Sequence, residues 1–363
     1  MSKNPFISTT ENGREYLTQI CSLNKVRLAK LPLYGVEDSM EGKQMSQLFG
    51  ANIIIDEIVN SADALGIDLS EHKRMDLPKL LDAKIEEGNE EAMRIARMFG
   101  SRLGMFLLVL KTGLPENRMA REDWQDAHWE YWANVETIYL AGGLASGRMG
   151  EYMLTVVKEL FDKAGVPMYN IVRNTNSSDI GAMGCLTLLE DKEDVHILFD
   201  FGQTKIKRMI AVHRAEGEDA EYTLIDLPSH KSIDMDWYVE NEDERRRQAE
   251  ELHAHIVESI IDTYREATRY GTIRWEIIIS IASYVIDGKV NDARSGYAKL
   301  FMLSDNYAGY LAKALEDRLD RTINVRLVHD GTAAALYYKG AKNAVCITAG
   351  TALGVGFPEI ELG

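Results

Sequence analysis

An α/β fold of two domains is what this sequence predicts, and three observations lead there. Short apolar runs ending in glycine-rich turns alternate with longer stretches whose apolar residues recur every three or four positions. That is the pattern of strands layered with helices. A chain of 363 residues suffices for two domains, each burying its own core. Hydrophobic residues at 45% and charged residues at 27% are those of a globular chain, with no repeat and no low-complexity segment.

In chain order, Glu11-Asn12-Gly13-Arg14 is a hairpin cue. Met45 to Leu65 has helical spacing and stops near Gly66, and Leu77 to Leu110 is strongly helical but interrupted at Gly88-Asn89, which predicts two helices. Thr137 to Ala141 is a short buried strand ending in Gly142-Gly143, and Met149 to Ala164 is an amphipathic helix. Met168 to Val172 reads as a strand, Asp179 to Leu189 as a small-residue helix, and Glu190 to Asp194 as a linker. An apolar strand then runs into Asp200, turns, and continues as Ile206 to Val212. Glu250 to Tyr270 and Tyr307 to Leu319 are helical, and Trp275 to Ala282, Val325 to Val328 and Ala344 to Thr348 are strands. A helix starts at Thr332.

Four strand ends carry chemistry. At the first, Asp200 precedes Gly202, Gln203, Thr204 and Lys205. A carboxylate there can hold the waters of a Mg²⁺ ion, glycine lets backbone N–H groups approach phosphate, and Thr204 can donate to it. The same letters also make an ordinary tight turn. At the second, Gly350-Thr351-Ala352-Leu353-Gly354 is either a phosphate cradle or a plain hairpin with glycines for positive φ. At the third, Gly142 and Gly143 either admit a flat base or ribose, or serve close helix–strand packing. At the fourth, His329-Asp330 ends a strand just where an Ala-rich helix begins. Asp330 is there an N-cap or a general base for a substrate hydroxyl.

Together the four segments resemble the motifs of the sugar kinase/actin superfamily, and most closely the ROK family of sugar kinases and repressors. Asp200-Phe-Gly-Gln-Thr-Lys resembles its first phosphate motif, His329-Asp330-Gly-Thr-Ala-Ala-Ala its catalytic segment, and Gly350-Thr-Ala-Leu-Gly-Val-Gly its second phosphate motif. Tyr139-Leu-Ala-Gly-Gly-Leu-Ala-Ser resembles the adenosine segment, and Asp179-Ile-Gly-Ala-Met-Gly-Cys the helix that closes the family's C-terminus. The family runs first phosphate, catalytic Asp, second phosphate, adenosine. Here the adenosine segment comes first, so the cyclic order is kept and the cut has moved. A circular permutation does this, and it implies that Met1 and Gly363 lie close together in one domain.

The resemblance implies two ribonuclease H-like (actin-like ATPase) domains with a nucleotide cleft between them. Residues 1–175 with 340–363 would form the adenosine side, and 176–339 the first-phosphate and catalytic domain. It implies ATP-dependent transfer of a phosphoryl group to a sugar or polyol, with ATP and Mg²⁺ as cofactors. Asp330 would be the base, Asp200 would hold Mg²⁺ through water, and Gly202, Gln203, Thr204, Lys205, Gly350, Thr351, Gly354, Gly142 and Gly143 would contact nucleotide. His329, Asp305 and Asn306 are the candidate acceptor contacts. The family's Glu-x-Gly-His motif and cysteine-rich zinc site are missing, so no zinc is expected. His329 and Gln203 stand where the family has Asn and a small residue. A non-catalytic sensor, or an ATPase of the same superfamily, is the alternative.

The formal charge of −16 argues against nucleic acid or an anionic membrane as partner. The densest basic run, Arg245-Arg246-Arg247, sits among acids and reads as a solvated helix face. Cys21, Cys185 and Cys346 are far apart, with no CxxC pair, so neither a zinc knuckle nor a disulfide framework is indicated. No apolar signal core or bilayer-spanning run occurs, so a cytoplasmic location is the default. A homodimer is expected from the family's habit.

Overall fold

The computed structural model describes residues 3–36, 38–175, 179–189, 195–214, 221–233, 238–291 and 296–362. The linker expected at Glu190 to Asp194 lies outside them. The fold is mixed α/β. The strands of its two larger sheets are β1 (Thr137–Ala141), β2 (Asn170–Arg173), β3 (Val195–Phe201), β4 (Lys205–Arg214), β5 (Glu221–Lys231), β6 (Ile273–Ile281), β7 (Asn324–His329), β8 (Ala344–Ala349) and β9 (Leu353–Gly356). The helices used below are α1 (Glu90–Thr112), α2 (Arg148–Ala164), α3 (Ile180–Leu186), α4 (Glu242–Ala267), α5 (Tyr307–Leu319) and α6 (Asp330–Leu336).

The chain divides into two compact units. The first comprises residues 1–7, 19–178 and 341–359, and the second residues 8–18, 179–340 and 360–363. Met1 and Gly363 lie outside the described residues. The end segments do run together: the Asn4 amide donates to Glu359 at 2.7 Å, and Phe6 stacks on Phe357 at 5.4 Å. Residues 3–7 nevertheless belong to the first unit and 360–362 to the second.

In the first unit the sheet order is β9-β8-β1-β2, with β8, β1 and β2 parallel and β9 antiparallel to β8. The break at Gly88-Asn89 is real. Gly88 takes φ +77°, and the Asn89 side chain caps α1 by accepting from the Ala92 N–H. α1 packs closely on α2 because Gly100 and Gly104 present no side chain there; a Cβ on either would come within 2.8 Å of α2 side chains. Arg148 begins α2, and Gly165 in the left-handed region ends it.

In the second unit the sheet order is β7-β6-β3-β4-β5. β3, β4 and β5 form an antiparallel meander, and β6 and β7 add parallel strands on its other side. β5 was not foreseen in the sequence. Alternation along the strands decides what faces where. Ile197, Phe199 and Phe201 of β3 and Ile277, Ile279 and Ile281 of β6 join Leu252, Ile256 and Ile260 of α4 and Leu311 and Leu315 of α5 in one apolar core. The intervening residues, Leu198 and Asp200 on β3 and Ile278 and Ser280 on β6, therefore face the other side, where α3 lies against β3 and β6. α4 begins at Glu242, earlier than the spacing indicated, because Asn241 caps it. The basic run is not wholly solvated: Arg245 is buried, while Arg247 pairs with Glu244 and Glu251 in solvent.

Candidate active site

The candidate site of the second unit stands at the carboxyl ends of three parallel strands. Phe201 of β3 and His329 of β7 both pair with Ile281 of β6, so the three strands end level. Polar residues at such an edge are reached from solvent without breaking the sheet. Asp200 lies one residue before the end of β3, on the side of α3. Its Oδ1 accepts from Ser280 Oγ and its Oδ2 from Lys207 Nζ, each at 2.9 Å. Lys207 is its cross-strand partner on β4. Gly181 of α3 sits close enough that a Cβ there would be 3.4 Å from the carboxyl carbon. Only 15% of the Asp200 side chain is exposed, against 37% for Lys207.

The turn after Asp200 is held from behind. The Gly202 N–H donates to the Lys205 carbonyl at 3.1 Å, and the Gly202 carbonyl accepts from Ser232 Oγ at 2.9 Å and Tyr297 Oη at 3.0 Å. Ser232 N–H in turn donates to the Thr204 carbonyl. Carbonyls are thereby drawn inward while Gln203, Thr204 and Lys205 stay exposed at the tip. A turn so fixed presents hydroxyl, amide and ammonium to solvent without reorganisation.

His329 and Asp330 form the other half. His329 Nδ1 accepts from the Thr332 N–H at 3.2 Å, which caps α6. That acceptor role places the ring proton on Nε2, and Nε2 lies 3.2 Å from Asp330 Oδ1. The ring stacks on Tyr284 at 4.5 Å. Burial pushes His329 down to about 4, so the ring is neutral at pH 7. Asp330 Oδ1 also accepts from the Gly331 N–H at 2.7 Å. Burial, and then the nearby Asp200 carboxylate, push Asp330 up to about 7, while Lys207 pulls the other way. Its side chain keeps 40% of its surface exposed, so water screens part of that shift. A carboxylate tuned near neutrality at a strand end is suited to take a proton from a hydroxyl.

The acceptor candidates are dispersed. Asn306 caps α5 by accepting from the Gly309 N–H at 3.1 Å. Asp305 is exposed and pairs with Lys289 at 3.4 Å, as a turn residue does. Sequence reasoning missed Lys207 and Ser280. Lys207 was countable: if the turn pairs Phe201 with Ile206, Asp200 must face residue 207. Ser280 carried no signal, because only the β3–β6 register brings it to Asp200.

In the first unit, Gly142 has φ +98° and packs against Ala349, leaving no space for a side chain. The β1 and β8 ends thus meet backbone to backbone. The Gly350 carbonyl accepts from Ala51 N–H at 2.9 Å, and Gly50 touches the Thr351 carbonyl. Thr351 is exposed at the tip of the β8–β9 hairpin, and Gly354 lies against the Thr348 hydroxyl because a side chain would collide with it. Gly143 opens a short helix, Gly143–Ser146, where a Cβ would meet nothing.

Among the described residues no group of three or more His, Cys, Asp or Glu is placed to hold a metal ion, and no helix is long and apolar enough to cross a membrane. Asp200, with both oxygens already accepting hydrogen bonds, fits an ion held mainly by water and phosphate, not by the protein. Compared with known proteins, the chain matches no family model and is significantly similar to no curated protein.

Proposed function

We propose that this chain is an ATP-dependent phosphotransferase, a permuted ROK-like sugar kinase built on ribonuclease H-like domains, that phosphorylates a hydroxyl of a sugar or polyol. The observation that carries this reading is Asp330, a carboxylate held by His329 at the end of β7 and raised to about 7. A three-strand meander extended by two parallel strands, with acids at level strand ends, is the support from the fold.

In this reading Asp330 accepts the proton of the attacking hydroxyl. His329 donates its Nε2 proton to Asp330 Oδ1 and so leaves Oδ2 to meet the substrate. The Gln203-Thr204-Lys205 tip and Lys207 take phosphate oxygens. Asp200 would hold a nucleotide-bound Mg²⁺ through water, and the ion would supply charge neutralisation. Rate comes from positioning and preorganised charge.

Asp330→Ala tests the assignment. Transfer should fall by roughly 10²- to 10⁴-fold, while ATP affinity measured by equilibrium dialysis stays the same. Equal loss of both would show Asp330 to serve the structure and not proton transfer.

A further inference from the structure

Behind the turn that follows Asp200, a histidine cluster ties β5 to α4. The two strands β4 and β5 pair out of step here: Arg208 lies opposite Leu227 and Ile206 opposite His230, so Pro228 and Ser229 stand against Lys207 alone. A bulge of this kind re-aims the residue that follows it. It turns His230 onto the face of Ile206, toward α4. His230 Nδ1 lies 2.9 Å from Ser259 Oγ, and Nε2 lies 3.4 Å from Asp262 Oδ2. Arg208, itself buried, pairs with the same Asp262 oxygen, and its Nε donates to the Pro228 carbonyl at 2.9 Å. One turn before Ser259, His255 Nε2 lies 3.0 Å from the Lys231 carbonyl.

Serine, histidine and acid in this order make a nucleophile relay in hydrolases, but here the exposure runs the wrong way. Ser259 is buried while the Asp262 side chain is 51% exposed, so no substrate reaches the hydroxyl. What the cluster can do is respond to protons. In the neutral ring Nε2 carries its proton toward Asp262 and Nδ1 accepts from Ser259. A second proton makes Nδ1 a donor and takes the acceptor from a buried hydroxyl. It also sets an imidazolium beside Arg208, with Asp262 shared between them and the His255 ring 6.5 Å away. Lys231, and Lys205 opposite it on β4, add positive charge, while Glu258 of α4 is drawn to Arg318. Burial first, and then Arg208, hold His230 below the ordinary imidazole value, with Asp262 pulling the other way and His255 adding to the fall. A histidine so depressed gives stability that is complete above the unfolded value near 6.5 and is lost as pH falls below it.

The residue after this clamp is Ser232, whose hydroxyl holds the Gly202 carbonyl and whose N–H holds the Thr204 carbonyl. We propose that His230, Ser259 and Asp262 form a proton-sensitive latch. With His230 neutral, β5 is fastened to α4 and Ser232 keeps the 202–205 turn in place; with His230 protonated, the latch opens and the turn loosens. The latch stands on these contacts, and only its consequence for phosphate binding rests on the phosphotransferase reading.

Hydrogen exchange of the full chain at about pH 7.5 and about pH 5.5, corrected for the intrinsic pH dependence of exchange, tests it. The Gly202 and Ser232 N–H groups, bonded to the Lys205 and Thr204 carbonyls, report the turn, and the buried Ile279 of β6 reports the core. Protection of the first two should fall about tenfold at the lower pH, while Ile279 keeps its own. His230→Gln, which retains a donor and an acceptor but gains no proton, should abolish the fall, and His255→Gln should leave it. In the unmodified chain the His230 ring resonance should titrate with the same midpoint as the loss of protection. An unmodified chain with no fall, the same fall in His230→Gln, its disappearance in His255→Gln, or a ring midpoint elsewhere would each overturn the latch. ATP affinity from equilibrium dialysis separates the two claims. A turn that loosens in a chain that never binds ATP keeps the latch and sinks the phosphotransferase. ATP binding with protection unchanged at both pH values sinks the latch and leaves the phosphotransferase standing.

Discussion

His329 Nε2 lies 3.2 Å from Asp330 Oδ1, while the other ring nitrogen caps the helix that Asp330 begins. One side chain thus fixes both the start of α6 and the orientation of its first acid. Asn is among the best N-cap residues, so a chain with Asn at this position would keep the cap and lose the contact from Nε2. His329→Ala should cost about 2 kcal/mol through lost cap and lost stacking on Tyr284, and His329→Asn about 1 kcal/mol less. Urea midpoints at constant m check this.

The two groups of the pair make opposite contributions to stability against pH. His329 is depressed to about 4, so its contribution is complete above the unfolded value near 6.5 and is lost as pH falls toward 4. Asp330 is raised to about 7, so its contribution is complete below about 4 and is lost as pH rises through 7. Asp330→Asn should therefore remove a fall in Tm between pH 5 and 8 that the unmodified chain shows. Thermal melts across that range measure it.

Lys207 and Ser280 both serve Asp200. Lys207→Met leaves a largely buried carboxylate with one donor fewer and should cost about 1–3 kcal/mol. In an Asp200→Asn background the same change should cost much less. A double-mutant cycle gives the coupling, which additive effects would eliminate.

Gly184 of α3 packs against the Ala333 carbonyl of α6, where a Cβ has no space. Gly184→Ala should destabilise by about 2 kcal/mol or more despite the better helix propensity of alanine. Because α6 begins at Asp330, activity should fall with it, in contrast to an exposed Gly-to-Ala change in the same protein.

Much of this was legible because it is local. The Gly88-Asn89 break, the strand Thr137–Ala141 and the helix Tyr307–Leu319 follow from spacing and capping within a few residues. β5 was not legible. Its residues alternate with exposed positions and a proline, Pro228, at the sheet edge. The burial of Arg245 was hidden too, since a charge run reads the same whether or not one member turns inward. At the site, Asp200 and Asp330 stood out by position at strand ends. The residues around Asp200, namely Lys207, Ser280 and Gly181, depend on register and helix packing that no local pattern encodes.

The central claim is phosphoryl transfer to a hydroxyl. Incubation of the purified chain with Mg²⁺ and γ-labelled ATP, alone and with each member of a sugar and polyol panel, tests it most directly. Label should appear on one acceptor, with little ADP formed without it, and transfer should be lost in Asp330→Ala. ADP formation that no acceptor stimulates, or no turnover with any of them, would contradict it.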